Sequence, residues 1–328
     1  MALEIGYYDG NSREWDDFML RSSRNGTFLQ TRQFIDYHQN QRFADRSLCI
    51  WSGQELAAAV FGCEWQDEEG RRVFYGHRGT TYGGITVSDQ IYTATRTNEL
   101  FETMEAFLWT EGFDRVYLRM VPTLYQRRNT DLLDYFLYKN GYTCFSELNY
   151  YLPLERYRQD PLSQFSSGKR RDYRYSLKNG LTFRKLETEE GIAAFYQVLL
   201  KNHEKLGVPT IHSLPELQDL VLRRFPDRIY GYGVYLGETM IAGSVIFRFG
   251  ERVWHTQYLA SDEDYLKLYP MDFLIANLIF SALEAGMDLF TFGICTEDQG
   301  RYLNLGLSRF KEGFGTEFGI NRSYEKLL

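Results

Sequence analysis

The sequence predicts two α/β domains in tandem, each with a mixed, mostly antiparallel sheet flanked by helices. The first observation is length, because 328 residues are about twice a common domain. The second is composition: 44% hydrophobic and 16% aromatic residues supply a sizeable core for each half. The third is that segments of the first half recur, in the same order, in the second.

The first recurring segment is a β-hairpin. "SGQELAAAVFGCEW" (Ser52 to Trp65) is echoed by "LGETMIAGSVIFRF" (Leu236 to Phe249). Each reads as the end of one strand, a tight turn at Gly53 or Gly237, and a second strand rich in small and β-branched residues. One hairpin is therefore expected in each half.

The second recurring segment is a helix followed by a buried strand. "LFETMEAFLWTEGFDRVYL" (Leu100 to Leu118) is echoed by "FLIANLIFSALEAGMDLFTF" (Phe273 to Phe292). Apolar residues at helical spacing predict an amphipathic helix that ends before Gly112 or Gly286, and a short apolar strand follows. Alternating helices and strands of this kind indicate a helix-covered sheet.

The third recurring segment is an aromatic–Lys–x–Gly–aromatic string. It occurs as "LYKNGYTCF" (Leu137 to Phe145) and "RFKEGFGTEF" (Arg309 to Phe318). Three collinear matches make an internal duplication the best interpretation. Proline- and serine-containing sequence without apolar periodicity separates the halves, so we predict domains at 1–152 and 169–328, joined by a linker at 153–168.

Charge and cysteine content exclude several classes of protein. A net charge of −7 argues against broad nucleic-acid binding, which needs a basic face. The four cysteines are far apart and have no CxxC pairing, so neither a disulfide framework nor a zinc site is indicated. The N-terminus lacks signal-peptide features, and no apolar run is long enough to span a bilayer. We expect a cytoplasmic protein without a metal.

The order of elements resembles the GNAT acetyltransferase superfamily, and two such folds in tandem resemble the FemAB family. That family comprises peptidoglycan bridge-forming aminoacyltransferases and their acetyltransferase-annotated relatives. Four segments carry the resemblance: Glu14 to His38, Thr80 to Ile85 ("TTYGGI"), Lys169 to Phe183, and Gly293 to Gly315. The last, "GICTEDQGRYLNLGLSRFKEGFG", is similar to the family's Asn-x-Gly-Leu-x-x-Phe-Lys-x-x-Phe-Gly signature.

The resemblance implies two GNAT-like domains and an acyl- or aminoacyltransferase. The donor would be an acyl-CoA or an aminoacyl-tRNA, and the acceptor an amine, with a peptidoglycan precursor as one candidate. The chain has no long Lys/Glu-rich coiled-coil segment, which leaves open whether transfer RNA is used. No nucleophile motif is visible, so direct attack by the amine is expected. A non-catalytic module that binds a nucleotide sugar or a peptide, and an interaction scaffold, are the alternatives.

Three residues are candidates for catalysis. Lys311 would stabilise negative charge on the acyl oxygen or bind donor phosphates, but a lysine in a last helical turn also serves the helix dipole and stays in water. His255 would accept a proton, and Tyr258 would donate one to the leaving group. Strict alternation along "VWHTQYLASDEDY" (Val253 to Tyr265) places His255 and Tyr258 on opposite faces of a strand.

A basic segment is a candidate for substrate binding. Residues 169–185 contain seven basic residues and one acid, in a chain of net charge −7. Guanidinium groups with aromatic rings between them suit a phosphate-rich ligand, although a solvated helix face is an equally good interpretation. The candidates are Arg170, Arg171, Tyr173 and Arg174.

Two further segments supply weaker candidates. Asn304 and Gly306 follow a predicted buried strand, where α/β folds open their ligand crevices, and would offer an amide and close backbone approach. Tyr82 lies in a glycine-rich stretch and would line a saccharide or peptide groove, with His77 and Arg78 at its rim.

Overall fold

The computed structural model describes residues 2–38, 42–76 and 78–328. The chain forms two compact units. The first comprises Met1–Glu147 and Ile320–Leu328, and the second comprises Leu148–Gly319. The C-terminal residues therefore return to the first unit.

The first unit contains two sets of strands. One is antiparallel in the order β1-β3-β4-β7; the other has the order β17-β8-β6-β5-β2, in which only β6 and β8 are parallel. The strands are β1 (Leu3–Tyr7), β2 (Ala44–Asp45), β3 (Leu48–Ser52), β4 (Glu55–Phe61), β5 (Cys63–Gln66), β6 (Arg72–Tyr75), β7 (Gly84–Val87) and β8 (Arg115–Arg119), with residues of β17 (Glu317–Leu327). The helices are α1 (Ser12–Asp17), α2 (Arg32–Ile35), α3 (Ala94–Thr110) and α4 (Asp131–Lys139).

Helix α3 covers the core of the first unit because its apolar residues recur at helical spacing. Leu100, Met104 and Leu108 line one face, and all three are fully buried. They pack with strand residues such as Val60 and Val116.

The main strands of the second unit follow one another in the order β10-β11-β12-β13-β14-β9. All neighbouring pairs are antiparallel except β13 and β14, which are parallel. The strands are β9 (Thr143–Pro153), β10 (Leu181–Leu186), β11 (Ile229–Leu236), β12 (Thr239–Phe249), β13 (Val253–Ser261) and β14 (Leu289–Ile294), with a small hairpin of β15 (Thr296–Glu297) and β16 (Tyr302–Leu303). The helices are α5 (Ser167–Lys178), α6 (Glu189–Leu206), α7 (Leu214–Gln218), α8 (Pro270–Glu284) and α9 (Leu305–Glu312).

Helix α8 is apolar on most of its surface and forms the centre of the second core. Phe273, Leu274 and Leu278 are among its buried residues. A helix that is hydrophobic nearly all round must be covered on several sides. Strands β10 to β13 and helix α5 provide that cover.

The local predictions from the repeat are confirmed. Hairpins turn at Gly53 and Gly237, and α3 and α8 end before Gly112 and Gly286. Residues 153–168 are packed rather than purely superficial, because Leu154, Tyr157 and Phe165 lie in the core of the second unit. The compact units divide the chain after Glu147 and after Gly319, and the predicted domain boundaries stay a prediction.

Candidate active site

The second unit has an opening between two parallel strands. Strands β13 and β14 pair over three positions only, the last being His255 with Thr291. Both strands continue, to Ser261 and Ile294, without pairing to each other. Past His255, the backbone N–H and C=O groups of β13 that face β14 are thereby left outside this ladder. We call this gap the β13–β14 opening.

A β-bulge in β13 changes which side chains face the same way. Val245 pairs with Tyr258 while the next residue, Ile246, pairs with Thr256, so Gln257 is an extra residue. Because Phe247 pairs with His255, and positions 245 and 247 of β12 share a face, His255 and Tyr258 also share a face. The prediction from strict alternation, which separated these two side chains, is wrong for this reason.

Lys311 is buried, and its ammonium group is fully engaged. The residue is 3% exposed, and Nζ donates to the carbonyl oxygens of Phe292 (3.0 Å), Gly293 (3.2 Å) and Ile294 (2.8 Å). An ammonium has three N–H donors, so these bonds use all of them. Burial lowers the pKa of Lys311, and the charge is fixed beneath the end of β14.

Gly293 brings Lys311 and His255 together. Its carbonyl accepts from Lys311, and a Cβ at this position would lie 3.2 Å from Cε1 of His255. Its φ of 72° is left-handed, which non-glycine residues rarely adopt. Glycine is therefore needed both for the irregular register between Thr291 and Gly293 in β14 and for the close approach of the imidazole.

The His255 imidazole is neutral at physiological pH. Burial of the ring, assisted by the nearby charge of Lys311, lowers the pKa of His255 to about 3. A neutral imidazole can accept a hydrogen bond, but one with so low a pKa is a weak base. The surroundings therefore suit His255 for positioning a polar group better than for removing a proton.

Several polar side chains that support this site have no signal in the sequence. Asn149 is fully buried and accepts from Thr291 Oγ1 (3.1 Å), and the same Oγ1 accepts from the Gly293 N–H (3.1 Å). The Tyr150 ring centroid lies 5.5 Å from Lys311 Nζ. Residues from β9 and β14 meet only in the folded sheet, so spacing along the chain could not reveal them.

Tyr258 is hydrogen-bonded to a second residue that sequence reasoning missed. Tyr258 and His212 are both buried, and the hydroxyl group and Nδ1 share a hydrogen bond. Their rings are nearly perpendicular, with centroids 5.7 Å apart. Burial raises the pKa of Tyr258 above its usual range, so the phenol keeps its proton at neutral pH.

The basic segment forms helix α5, but its side chains do not act as one group. Arg170 donates to the carbonyl oxygen of Phe165 (2.8 Å), and Arg171 is paired with Asp172. Tyr173 packs against α8 in the core of the second unit. Arg174 is exposed, and within the described ranges no polar partner is recorded for it. The predicted array of guanidinium groups and aromatic platforms is therefore mostly used in packing and local bonds.

The remaining predicted residues lie elsewhere. Asn304 caps α9, since its Oδ1 accepts from the Leu307 N–H (3.0 Å), and Gly306 lies in the first turn of that helix. Tyr82 is buried in the first unit and stacks on Tyr125. His77 lies outside the described residues.

The start of α8 is a poor place for a diphosphate such as that of coenzyme A. Helix N-termini attract phosphate groups in general. Here the first turn carries Asp272, which is 7% exposed and bonded to Lys169 Nζ at 2.6 Å. Burial raises the pKa of Asp272, and the Lys169 charge opposes that effect. Of the acids further upstream, Asp262 is paired with Lys201 (2.8 Å) and Glu263 with Lys205 (2.9 Å).

The part of the chain that the structure describes holds neither a metal-binding cluster nor a membrane-spanning helix. There, no group of three or more His, Cys, Asp or Glu side chains is placed to hold a metal ion. None of the described helices combines the length and hydrophobicity needed to cross a bilayer. The four cysteines are free thiols.

Comparison with known proteins gives the fold a context. Residues 165–312 match the acetyltransferase (GNAT) domain family. FemX superposes with a TM-score of 0.72 at 15% identity, covering 99% of this chain and 97% of its own. The C-terminal domain of a putative lysylphosphatidylglycerol synthetase from Agrobacterium fabrum gives 0.62 at 12% identity, covering 96% and 90%.

A tandem GNAT protein from the clavulanic acid biosynthesis pathway gives a TM-score of 0.56 at 12% identity, covering 99% of this chain and 98% of its own. No curated protein matches the chain in sequence. The identities are low, so the structural similarities concern the fold. They confirm the predicted fold of two GNAT-like domains in tandem.

Proposed function

We propose that the chain is a tandem GNAT acyltransferase that transfers an acyl group from an activated donor to an amine acceptor at the β13–β14 opening. The match of residues 165–312 to the GNAT domain family and the likeness in fold to FemX support this proposal. The amine attacks the acyl carbonyl directly. The observation that carries the proposal is the opening itself. Backbone groups freed from the ladder face it, and His255, Tyr258 and Lys311 lie around it.

The backbone of β13 would hold the acyl group. Past His255, its N–H groups on the side of β14 have no ladder partner in that strand. Such preorganised donors stabilise the oxyanion that develops as the amine attacks. The bulge at Gln257 changes the direction in which these N–H groups point, compared with a regular strand.

Lys311 and His255 would shape the site rather than carry protons. With three carbonyl bonds, Lys311 fixes the end of β14 and contributes a positive charge to the opening. The neutral His255 imidazole beside Gly293 would orient the acceptor or the acyl oxygen. Asn304 and Gly306 form the start of α9, the helix that carries Lys311.

The donor is an acyl-CoA or an aminoacyl-tRNA in this proposal. At the start of α8, Asp272 is paired with Lys169, so this helix end has no surplus positive charge for the diphosphate of coenzyme A, which supports an aminoacyl donor. A phosphate-rich donor would meet the basic helix α5 only at its exposed side chains. Of the four predicted residues, Arg171 and Arg174 are exposed, whereas Arg170 and Tyr173 are partly buried. Calorimetric titration with acetyl-CoA and with an aminoacylated RNA minihelix, in parallel, is expected to give heat with the minihelix only.

The acceptor is an amine, with a peptidoglycan precursor as the candidate. Tyr82 stays a proposed substrate contact of the first unit, in which its side chain is buried. The free cysteines support a reducing, cytoplasmic location. No metal is required, because the chemistry needs only proton transfer and carbonyl polarisation.

The direct test is product formation followed by mass spectrometry with each donor and a peptidoglycan precursor that bears a free amine. We expect an amide product, and a Tyr258→Phe variant to form it at least about tenfold more slowly. Tyr302→Phe, an exposed tyrosine of β16, is the matched control and should match the wild-type rate. Ligand binding without product from any donor would instead favour a non-catalytic binding module.

A further inference from the structure

The reaction proposed above leaves one requirement open, because the attacking nitrogen must lose a proton. His255 is a weak base in its surroundings. Resting on the proposed function, we propose that His212 receives this proton through the Tyr258 hydroxyl group. His212 is thus a positioning and proton-accepting residue that acts through Tyr258, although nothing in the sequence pattern marks it.

The loop that carries His212 has an unusual distribution of polar and apolar residues. Residues 207–213 connect α6 to α7. In this loop the apolar side chains of Val208 and Ile211 are 46% and 58% exposed, whereas His212 is 6% exposed. Burying an imidazole while leaving aliphatic groups in water is unfavourable unless the imidazole has a polar partner. Tyr258 is that partner.

The groups around Tyr258 leave His212 as the proton acceptor. From α6, Tyr196 raises the pKa of Tyr258, and the His203 ring centroid lies 6.3 Å from that of Tyr258. From α7, Glu216 also raises the pKa of Tyr258, and β12 contributes the apolar Val245 beside it. Of these groups, only His212 is recorded as sharing a hydrogen bond with the Tyr258 hydroxyl.

The hydrogen bond defines a direction for the proton. In neutral His212 with its proton on Nε2, Nδ1 accepts the bond that the Tyr258 hydroxyl donates. The tyrosine proton is then turned toward His212, and a lone pair of the tyrosine oxygen is free to accept. The bulge at Gln257 sets this oxygen on the His255 face of β13.

The step balances without any other reactant. The acceptor binds as a free amine, and its nitrogen forms a bond to the acyl carbon. The bond from that carbon to the donor oxygen or sulfur breaks, with the electron pair remaining on the leaving atom. The surplus proton of the nitrogen passes to the Tyr258 oxygen while the tyrosine proton passes to Nδ1 of His212. The products are the amide, the leaving group as an anion and imidazolium, which returns the proton to the leaving atom or to water.

Two substitutions of His212 distinguish holding the hydrogen bond of Tyr258 from accepting its proton. The amide oxygen of His212→Gln can accept the tyrosine hydrogen bond but cannot take up its proton, whereas His212→Ala can do neither. With the aminoacylated minihelix as donor and hydroxylamine as a small acceptor, both variants should be slowed at least about tenfold. Full rescue by glutamine would overturn proton transfer to His212.

The pH dependence of the rate is a second test, because a purely structural role of His212 would leave it unchanged. Only neutral His212 can accept, so the ratio of the wild-type rate to the His212→Gln rate should rise with pH and then level. Taking the ratio cancels the titration of the amine itself. A ratio that is flat across the pH range would contradict the inference. His203→Gln, on α6, is the matched control and should keep the wild-type rate and profile.

A measurement that needs no substrate separates failure of this inference from failure of the proposed function. Nitrogen-15 NMR of the histidine side chains should show His212 neutral, protonated on Nε2, with an Nδ1 shift that changes in Tyr258→Phe. Thermal unfolding confirms that each variant is folded. An Nδ1-protonated His212, or a shift unaffected by Tyr258→Phe, would overturn the inference even if the enzyme is active. Absence of turnover with the expected NMR result would instead reject the proposed function.

Discussion

Lys311 and Lys139 hold the same place in the repeated string, but their surroundings differ. Lys139 is exposed at the end of α4, where Nζ bonds to Asn98 (2.6 Å). Lys311 is buried under the end of β14 and bonded to three carbonyl oxygens. A lysine that is ordinary in one half has thus become part of the framework of the candidate site in the other.

Replacing Lys311 by Met should therefore cost stability first. Three charge-assisted hydrogen bonds are lost and buried carbonyl groups are left unsatisfied, so we expect about 3 kcal/mol or more of destabilisation in urea unfolding. Lys139→Met is the matched control and should change the free energy of unfolding by less than about 0.5 kcal/mol. A large loss of turnover with unchanged stability would instead assign Lys311 a direct catalytic role.

His255 should make the protein sensitive to acid. Its pKa is about 3 in the folded chain and about 6.5 when unfolded, so the unfolded state binds more protons between these values. Stability is fully present above about pH 6.5 and falls as the pH drops towards 3. Between about pH 7.5 and pH 5 the loss should be about 2 kcal/mol, and His255→Gln should lose less over the same interval. Equal losses in the two proteins would reject this assignment.

The sequence predicted the individual residues of the site less completely than it predicted the surrounding strands and helices. Residue type and family resemblance were enough to choose Lys311, His255 and Tyr258, which the fold does place around one opening. Partners such as His212 and Asn149 come from distant segments. Their selection depends on contacts that only the folded sheet creates.

At the scale of elements, the opening depends on how two strands end. Strand β14 has a left-handed glycine, Gly293, one residue before its end, and the carbonyl of that glycine accepts from Lys311. Strand β13 contains a bulge at Gln257. Periodicity predicted both strands because buried strands are nearly all apolar. It could not predict the bulge, since an inserted residue leaves the apolar pattern almost unchanged while reversing the side-chain direction beyond it.

Substituting Gly293 by Ala tests the end of β14. The left-handed φ and the contact with His255 should together cost about 1–2 kcal/mol and displace the imidazole. Gly306→Ala is the control, because a Cβ there meets only Asn304 Oδ1, at 3.5 Å, and alanine favours a helix. Chemical denaturation of both variants gives the comparison, and an equal response at the two positions would contradict the special role of Gly293.

At the scale of the whole molecule, the repeat in the sequence predicted two similar folds, and comparison confirms them. Collinear echoes sufficed because each carries a complete local unit, a hairpin or a helix with its strand. The return of the last residues to the first unit left no such signal. In β17, Tyr324 pairs opposite Leu118 of β8 and its hydroxyl donates to Asp134 (2.6 Å).

Removing residues 320–328 should therefore weaken the first unit and spare the second. Strand β8 would lose its antiparallel partner and the buried Tyr324. Amide hydrogen exchange in Arg115–Arg119 should accelerate at least about a hundredfold, because local protection reflects the bonds and packing that close the strand. Exchange in β12 of the second unit is the internal control and should stay close to wild type. Uniform acceleration in both strands would contradict this division.

The returning strand also fixes when the first unit can be finished during synthesis. Its own first segment leaves the ribosome early, but the strand that closes β8 is translated only after the whole of Leu148–Gly319. At about 5–20 residues per second, that wait is on the order of ten seconds or more. During this interval one edge of β8 is uncovered in the nascent chain, so the N-terminal half emerges first and is completed last.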